Sequence, residues 1–180
     1  MISEGDGSLH ISLLVHQLIV PSWSSDCTDG GEGGRRGRLL YLILIKDRGK
    51  EGRERRRWLR ASWTSSLPPG HRHVFVTVAQ AGQTEEALEA ESELYDDLLV
   101  VDIPGSDQSD LYTEHRQRVV ALHFSSSVCR APSLSVLLDQ TVLVNPAAMQ
   151  ALAEREDTAA NRQNISSFSN ISLVFKRYFE

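Results

Sequence analysis

The chain has 180 residues, of which 41% are apolar and 24% are charged, and its formal net charge is -5. This length suits one domain with a substantial core, and the composition excludes disordered, collagen-like and disulfide-rich proteins. The overall pI of about 5.7 differs from the uniformly basic character of most nucleic-acid-binding domains, so we expect no nucleic-acid partner.

The first 38 residues predict no folded domain. The apolar run from Leu9 to Val20 is interrupted by polar residues and is shorter than the roughly twenty residues that a membrane helix needs. The glycine-rich, polar stretch from Cys27 to Arg38 is typical of a linker. We therefore predict that residues 1–38 are a poorly ordered segment and a linker, with no visible membrane anchor. Cys27 and Cys129 form one disulfide or none, and their spacing favours neither.

From Leu39 onward, apolar runs alternate with charged segments of helical pattern. Four strands are predicted at Leu39 to Ile45, His73 to Ala79, Leu98 to Ile103 and Leu134 to Leu138. Four helices are predicted at Lys50 to Trp63, Thr84 to Leu94, Asp110 to Phe124 and Pro146 to Glu156. The strands are apolar on both faces, which predicts a mostly parallel α/β sheet between two layers of helices. Ligands of such sheets bind at the carboxyl ends of the strands.

Charge is distributed very unevenly over this alternation. Residues Arg35 to Arg60 carry eleven basic side chains and three acidic ones, whereas Glu85 to Asp110 carry ten acidic side chains and no basic one. We therefore expect the basic stretch to contact an anion. Within it, Arg56 and Arg60 are four residues apart on one helix face, where two guanidinium groups suit a diphosphate. An amphipathic surface helix is the alternative.

Three segments carry a resemblance to a known family. The first is ERRRWLRASW, and its matching residues are Glu54, Arg55, Arg56, Leu59, Arg60, Ser62 and Trp63. The second runs through the third strand into the third helix, with matches at Tyr95, Asp97, Leu98, Leu99, Asp102, Asp110 and Tyr112, and with Arg118 in place of a lysine. The third matches at Cys129, Asp139, Val142, Val144, Asn145 and Pro146.

These segments, in this order on the predicted elements, resemble the β-1,3-galactosyltransferase and β-1,3-N-acetylglucosaminyltransferase family. The second segment lacks an Asn-Leu-Thr and has about five extra residues before Asp110. The family's acidic triplet, which holds a divalent cation against the donor diphosphate, has become Asp139, Gln140 and Thr141. Two carboxylates are gone, so the resemblance implies a weakened Mn²⁺ or Mg²⁺ site with Asp139 as the remaining acidic ligand.

The resemblance implies a GT-A-like nucleotide-sugar domain over residues 39–156, ending before an acceptor half and followed by a divergent tail over 157–180. It implies inverting transfer of galactose or N-acetylglucosamine from a UDP-sugar to a glycan or glycoprotein acceptor in β-1,3 linkage, by a membrane-anchored protein in the Golgi lumen. The catalytic base is not identified, and the lost carboxylates predict weak or absent transfer. The residues expected to contact the donor are Arg55, Arg56, Arg60, Asp102 and Arg118.

Three other functions are considered. The chain is alternatively a non-catalytic pseudo-transferase that binds nucleotide-sugar or accompanies a complete partner transferase. A hydrolase would use one of Ser125 to Ser127 with His115 or His123, but no nucleophile-elbow pattern surrounds these serines. A dinucleotide oxidoreductase is disfavoured because the glycine-rich segment Gly30 to Gly37 precedes the first predicted strand instead of following it.

Overall fold

The computed structural model describes residues 16–27, 39–47, 49–79, 85–102, 110–128, 134–162 and 171–175. Six strands form one sheet: β1 (His16–Ile19), β2 (Leu39–Leu44), β3 (Arg72–Val78), β4 (Leu98–Asp102), β5 (Leu134–Asp139) and β6 (Ile171–Phe175). The helices are α1 (Gly49–Ala61), α2 (Glu85–Tyr95), α3 (Asp110–His123) and α4 (Pro146–Arg162). No helix in the described ranges is long and apolar enough to cross a membrane.

The strand order is β1-β4-β3-β2-β5-β6, and every neighbouring pair is parallel except β1 and β4. Strand β2 lies in the interior of the sheet, between β3 and β5, and all six of its residues are buried. This arrangement confirms the prediction of a mostly parallel α/β sheet flanked by helices. It also confirms the four predicted strands and the four predicted helices, with ends that differ by a few residues.

The two faces of the sheet carry separate cores because successive side chains of a strand point to opposite faces. Leu40, Leu42 and Leu44 join one apolar cluster, which includes Phe124 at the end of α3. The intervening residues of β2 join the other cluster, with Leu59 of α1. The third and first helices thus pack on opposite faces, which accounts for a strand that is apolar throughout.

The structure differs from the prediction that residues 1–38 are poorly ordered, because residues 16–27 form β1 and a 3₁₀ helix over Ser22–Cys27. Asp96 follows α2 with a left-handed φ of 50°. Its carboxylate accepts hydrogen bonds from the Ser22 amide and hydroxyl at 2.6 and 2.5 Å, and its carbonyl accepts one from Trp23 Nε1 at 2.8 Å. The partners are more than seventy residues apart in sequence, so no local sequence pattern predicts these contacts.

The sheet also extends past the predicted boundary at residue 156. Helix α4 continues to Arg162, and β6 pairs in parallel with β5. Residues 28–38, which make up most of the predicted linker, and Cys129 lie outside the described residues.

Candidate functional site

A cavity of about 430 Å³ opens at the carboxyl ends of β2 and β3, against the first turns of α3. Strands β2 and β3 are parallel neighbours in the sheet, and such sheets bind ligands outside the carboxyl ends of their strands. The position therefore agrees with the sequence-based expectation. The lining residues of this cleft are Ile45, Lys46, Asp47, Glu51, Thr77, Val78, Thr113, Glu114 and Gln117.

Lys46 is the cation at the centre of the polar side of the cleft. Its ammonium lies 2.6 Å from Asp139 Oδ2, at the end of β5, and 3.2 Å from Glu114 Oε2, on α3. Burial disfavours the charged lysine, but the two carboxylates outweigh burial and raise the pKa of Lys46. Burial likewise opposes ionisation of Asp139, yet hydrogen bonds from Lys46 and Thr141 lower its pKa. Arg118 also pairs with Glu114, so the cluster comprises two basic and two acidic side chains.

Gln140 and Thr141, which follow Asp139, direct their polar groups to other parts of the protein. Gln140 is buried, and its side-chain oxygen accepts hydrogen bonds from the amides of Lys46 at 2.7 Å and Asp47 at 3.2 Å. Thr141 donates its hydroxyl to Asp139 Oδ1 at 3.0 Å, and its amide does the same at 3.1 Å. Gln140 therefore ties the turn after β5 to the loop after β2, and Thr141 fixes the orientation of the Asp139 carboxylate.

This set of groups does not fit a Mn²⁺ or Mg²⁺ ion. Such ions need several oxygen ligands in nearly octahedral arrangement, and anionic ligands offset the loss of hydration. The amide oxygen of Gln140 is committed to backbone N–H groups, and the Lys46 ammonium already neutralises Asp139 at 2.6 Å. No group of three His, Cys, Asp or Glu side chains in the described part of the chain is placed to hold a metal.

Arg56 and Arg60, which were predicted to contact a donor diphosphate, instead form a buried ion-pair network. Arg56 is 3% exposed and pairs with Glu91 through two hydrogen bonds of 2.8 and 2.6 Å. Arg60 pairs with Asp97 through bonds of 2.7 and 2.6 Å, and also reaches Glu91 at 2.8 Å. Neither arginine lines the cleft. The predicted contact of these two arginines with a diphosphate is thereby corrected. Both guanidinium groups instead donate their hydrogen bonds to carboxylates of α2 and of the segment just before β4.

The interactions within this network favour the ionised forms of Glu91 and Asp97. Burial raises the pKa of both carboxyl groups, but the hydrogen bonds and charges of the arginines outweigh it, so the pKa values of Glu91 and Asp97 are lowered. The Arg60 guanidinium also lies 3.9 Å from the centre of the Tyr95 ring, which adds a cation–π contact. Asp97 therefore has a structural role as a counter-charge of Arg60.

The other predicted donor residues do not line the cleft either. Arg55 is partly exposed, and its Nε lies 3.5 Å from Asp47 Oδ2 beside the cleft mouth. Arg118 is paired with Glu114 one helical turn earlier, on α3. Asp102 ends β4 and lies opposite His16 of β1 in the antiparallel ladder. Arg55 is therefore the most accessible of the predicted arginines, and Glu114 connects Arg118 to Lys46.

Sequence reasoning did not single out Lys46, Glu114 or Gln117. Gln117 is buried, and its Nε2 donates to the carbonyls of Ile45 at 3.0 Å and Val76 at 2.6 Å, which fixes α3 against the strand ends. The signal available for Lys46 was its position directly after the first predicted strand. The signal for Glu114 and Gln117 is their spacing of three residues along a helix, and many surface helices share this spacing.

The hydrolase alternative gains no support from the described serines. The Ser125 hydroxyl donates to the Leu122 carbonyl at 2.9 Å, which is the usual bond of a helix serine to its own helix. A nucleophilic serine needs a base within hydrogen-bond reach of its hydroxyl.

The mostly parallel sheet, its flanking helices and the cleft at the strand ends define an α/β domain of the GT-A-like type. The galactosyltransferase family model matches residues 54–177, which is more than half of the chain. The chain belongs to this family of glycosyltransferases. The match extends beyond residue 156 into the predicted divergent tail, as far as residue 177. A search of the curated proteins finds no match.

Proposed function

We propose that this chain binds a UDP-hexose in the cleft and serves as the donor-binding half of a hexosyltransferase that forms β-1,3 linkages. The observation that carries the proposal is the polar cavity at the carboxyl ends of β2 and β3 in a chain of the galactosyltransferase family. A helix amino terminus, that of α3, borders the same cavity, and such ends favour anionic groups. The donated sugar is galactose or N-acetylglucosamine, and the acceptor is a glycan or glycoprotein.

The chemistry requires stabilisation of a departing diphosphate. An acceptor hydroxyl gives its proton to a general base and attacks the anomeric carbon, the bond to the diphosphate oxygen breaks, and negative charge develops on the departing UDP. Lys46 is the cation that this chain places beside the cleft, and two carboxylates offset its charge. We therefore expect donor binding to depend on Lys46, and transfer to be slow.

A second candidate is nucleotide-sugar binding without transfer, either alone or beside a complete partner transferase. The observation that favours it is the arrangement of the former triplet, in which Gln140 holds backbone amides and Asp139 is neutralised by Lys46. Neither residue is left in the state that a strongly bound Mn²⁺ requires.

The family setting extends to the cellular location. We propose the Golgi lumen, with a membrane anchor in the full-length family pattern, because UDP-sugar donors and glycoprotein acceptors meet in that compartment. The Asn-Ile-Ser triplets at Asn164 and Asn170 are compatible with a luminal protein.

Calorimetric titration of UDP, UDP-galactose and UDP-N-acetylglucosamine tests the donor proposal. Each titration is made with Mn²⁺ and with EDTA, on the parent chain and on Lys46→Met, with Lys50→Met as the matched control because Lys50 is exposed on α1 outside the cleft. We expect binding in EDTA that falls at least about tenfold in Lys46→Met and is unchanged in Lys50→Met. Absence of binding by the parent under every condition would refute the proposal.

A Thr141→Asp variant separates the two candidates. The substitution restores a carboxylate beside Asp139 on an exposed turn, so we expect it to increase the affinity for Mn²⁺ without disturbing the fold. Radiolabelled sugar transfer to a β-linked glycan is then measured for the parent and the variant. Transfer by the parent supports the enzyme, whereas binding without transfer by either protein supports the non-catalytic candidate.

A further inference from the structure

A second opening lies directly beside the cleft, on the outer side of α1. It has a volume of about 540 Å³ and is lined by Asp47, Glu51, Glu54, Arg55 and Trp58. Asp47 and Glu51 also line the cleft, so the two openings are adjacent and share a wall. We call this second opening the Trp58 groove.

Trp58 is the feature that the fold does not explain. Its side chain is 48% exposed, although tryptophan is the largest apolar residue and gains most from burial. The other tryptophans whose side chains are described are more enclosed: Trp63 is buried in the core, and Trp23 is partly buried against Phe124. Trp58 occupies one of the variable positions of the ERRRWLRASW segment, so the family resemblance does not account for it either.

The spacing along α1 places the other groups of the groove around this ring. Glu54 and Arg55 lie three and four residues after Glu51, and Trp58 lies four and three residues after them, so all four share a helix face. Arg55 is oriented by Asp47 at 3.5 Å. Within the described part of the chain, Glu51 and Glu54 form no ion pair, so their carboxylates are available to hydrogen-bond donors of a ligand.

This combination matches the chemistry of a pyranose sugar. One face of a pyranose presents polarised C–H groups, which stack on the electron-rich face of an indole ring. The rim of the sugar presents hydroxyl groups, which donate to carboxylates and accept from a guanidinium group. The groove carries three carboxylates and one guanidinium, so its formal charge is negative. A neutral sugar suits this charge, whereas the diphosphate of a nucleotide donor is repelled by it.

We propose that the Trp58 groove binds an uncharged glycan, with the sugar ring stacked on Trp58 and its hydroxyls held by Glu51, Glu54 and Arg55. Because the groove adjoins the cleft, this glycan is the acceptor if the chain is a transferase, and that assignment alone rests on the proposed function. Glycan binding itself needs neither UDP nor transfer activity.

The test uses lactose and N-acetyllactosamine as uncharged probes, without nucleotide or metal. Saturation-transfer NMR and tryptophan fluorescence are recorded for the parent, Trp58→Ala, Trp58→Tyr and the control Arg57→Ala, whose exposed side chain does not line the groove. We expect affinity to fall at least about tenfold in Trp58→Ala, to be partly retained in Trp58→Tyr and to be unchanged in Arg57→Ala. Circular dichroism confirms the fold of each variant.

The outcomes separate this proposal from the donor proposal. Lack of saturation transfer to both sugars, or equal affinity of the parent and Trp58→Ala, would overturn the glycan site and leave UDP binding untouched. Conversely, glycan binding that depends on Trp58 stands even where UDP fails to bind. A fluorescence change with Mg²⁺ or Ca²⁺ alone that the sugars do not compete with, in the absence of sugar binding, would show a cation site and also overturn the proposal.

Discussion

Two ion-pair clusters in this chain have similar composition and opposite roles. In the interior, Arg56 and Arg60 face Glu91 and Asp97, with side-chain exposures between 2% and 13%. At the cleft, Lys46 faces Glu114 and Asp139, with exposures between 19% and 38%. The interior cluster is closed to any ligand, whereas the cleft cluster meets solvent. In this domain, burial decides which basic side chains are available to an anion. A position near the end of a strand is not sufficient.

The largest expected effect follows from breaking the interior cluster at Glu91. The Glu91→Gln substitution leaves the Arg56 charge buried without a full counter-charge, so we expect the free energy of unfolding to fall by about 3–5 kcal/mol. Urea unfolding followed by circular dichroism measures the loss. The matched control is Glu93→Gln, which removes an exposed carboxylate from the same helix and is expected to change stability by less than about 0.5 kcal/mol. Equal losses in both variants would contradict the closed role of the interior cluster.

The pH dependence of stability sharpens the same comparison. The pKa values of Glu91 and Asp97 are lowered in the folded state, so the unfolded chain binds protons at these groups more readily. Their contribution to stability is therefore complete above the unfolded values of about 4 and is lost as the pH falls through the lower folded values. We expect a steep loss of stability below about pH 4. In Asp97→Asn the slope over this range should be shallower; an unchanged slope would show that other groups dominate.

The smallest stability effect is expected at the cleft. Lys46→Met removes a cation that is 38% exposed, and screened pairs of this kind contribute less than about 1 kcal/mol. Urea unfolding of Lys46→Met beside Lys50→Met checks this value. A loss as large as that of Glu91→Gln would mean that Lys46 has a structural role, and would remove the distinction between the two clusters.

The sequence predicted the fold better than the site, for a physical reason. Strands β2 to β5 are contiguous apolar runs, so each is visible locally. The helix face shared by Arg56 and Arg60 was also predicted, but the direction of its ligand was not. Their carboxylate partners lie 31 to 37 residues away, and only the folded chain shows that the acidic segment neutralises the basic one.

One strand and one contact at the cleft were not predicted, again because they depend on residues that are far apart in the sequence. The four residues of β1 include two exposed side chains, and their pairing depends on the free edge of β4. The resemblance placed Gln140 in a weakened metal site. Its actual bonds to the amides of Lys46 and Asp47 join loops more than ninety residues apart.

The antiparallel pairing of β1 on β4 has a consequence for the behaviour of the protein at high concentration. Strand β4 has the sequence LLVVD and is almost wholly apolar, and without β1 its outer backbone N–H and C=O groups would face solvent. Exposed apolar strand edges pair with the strands of other molecules, which leads to aggregation. The short strand at residues 16–19 covers this edge of β4, and Asp96 hydrogen-bonds the segment that follows it. We therefore expect both features to reduce edge-to-edge association at high concentration.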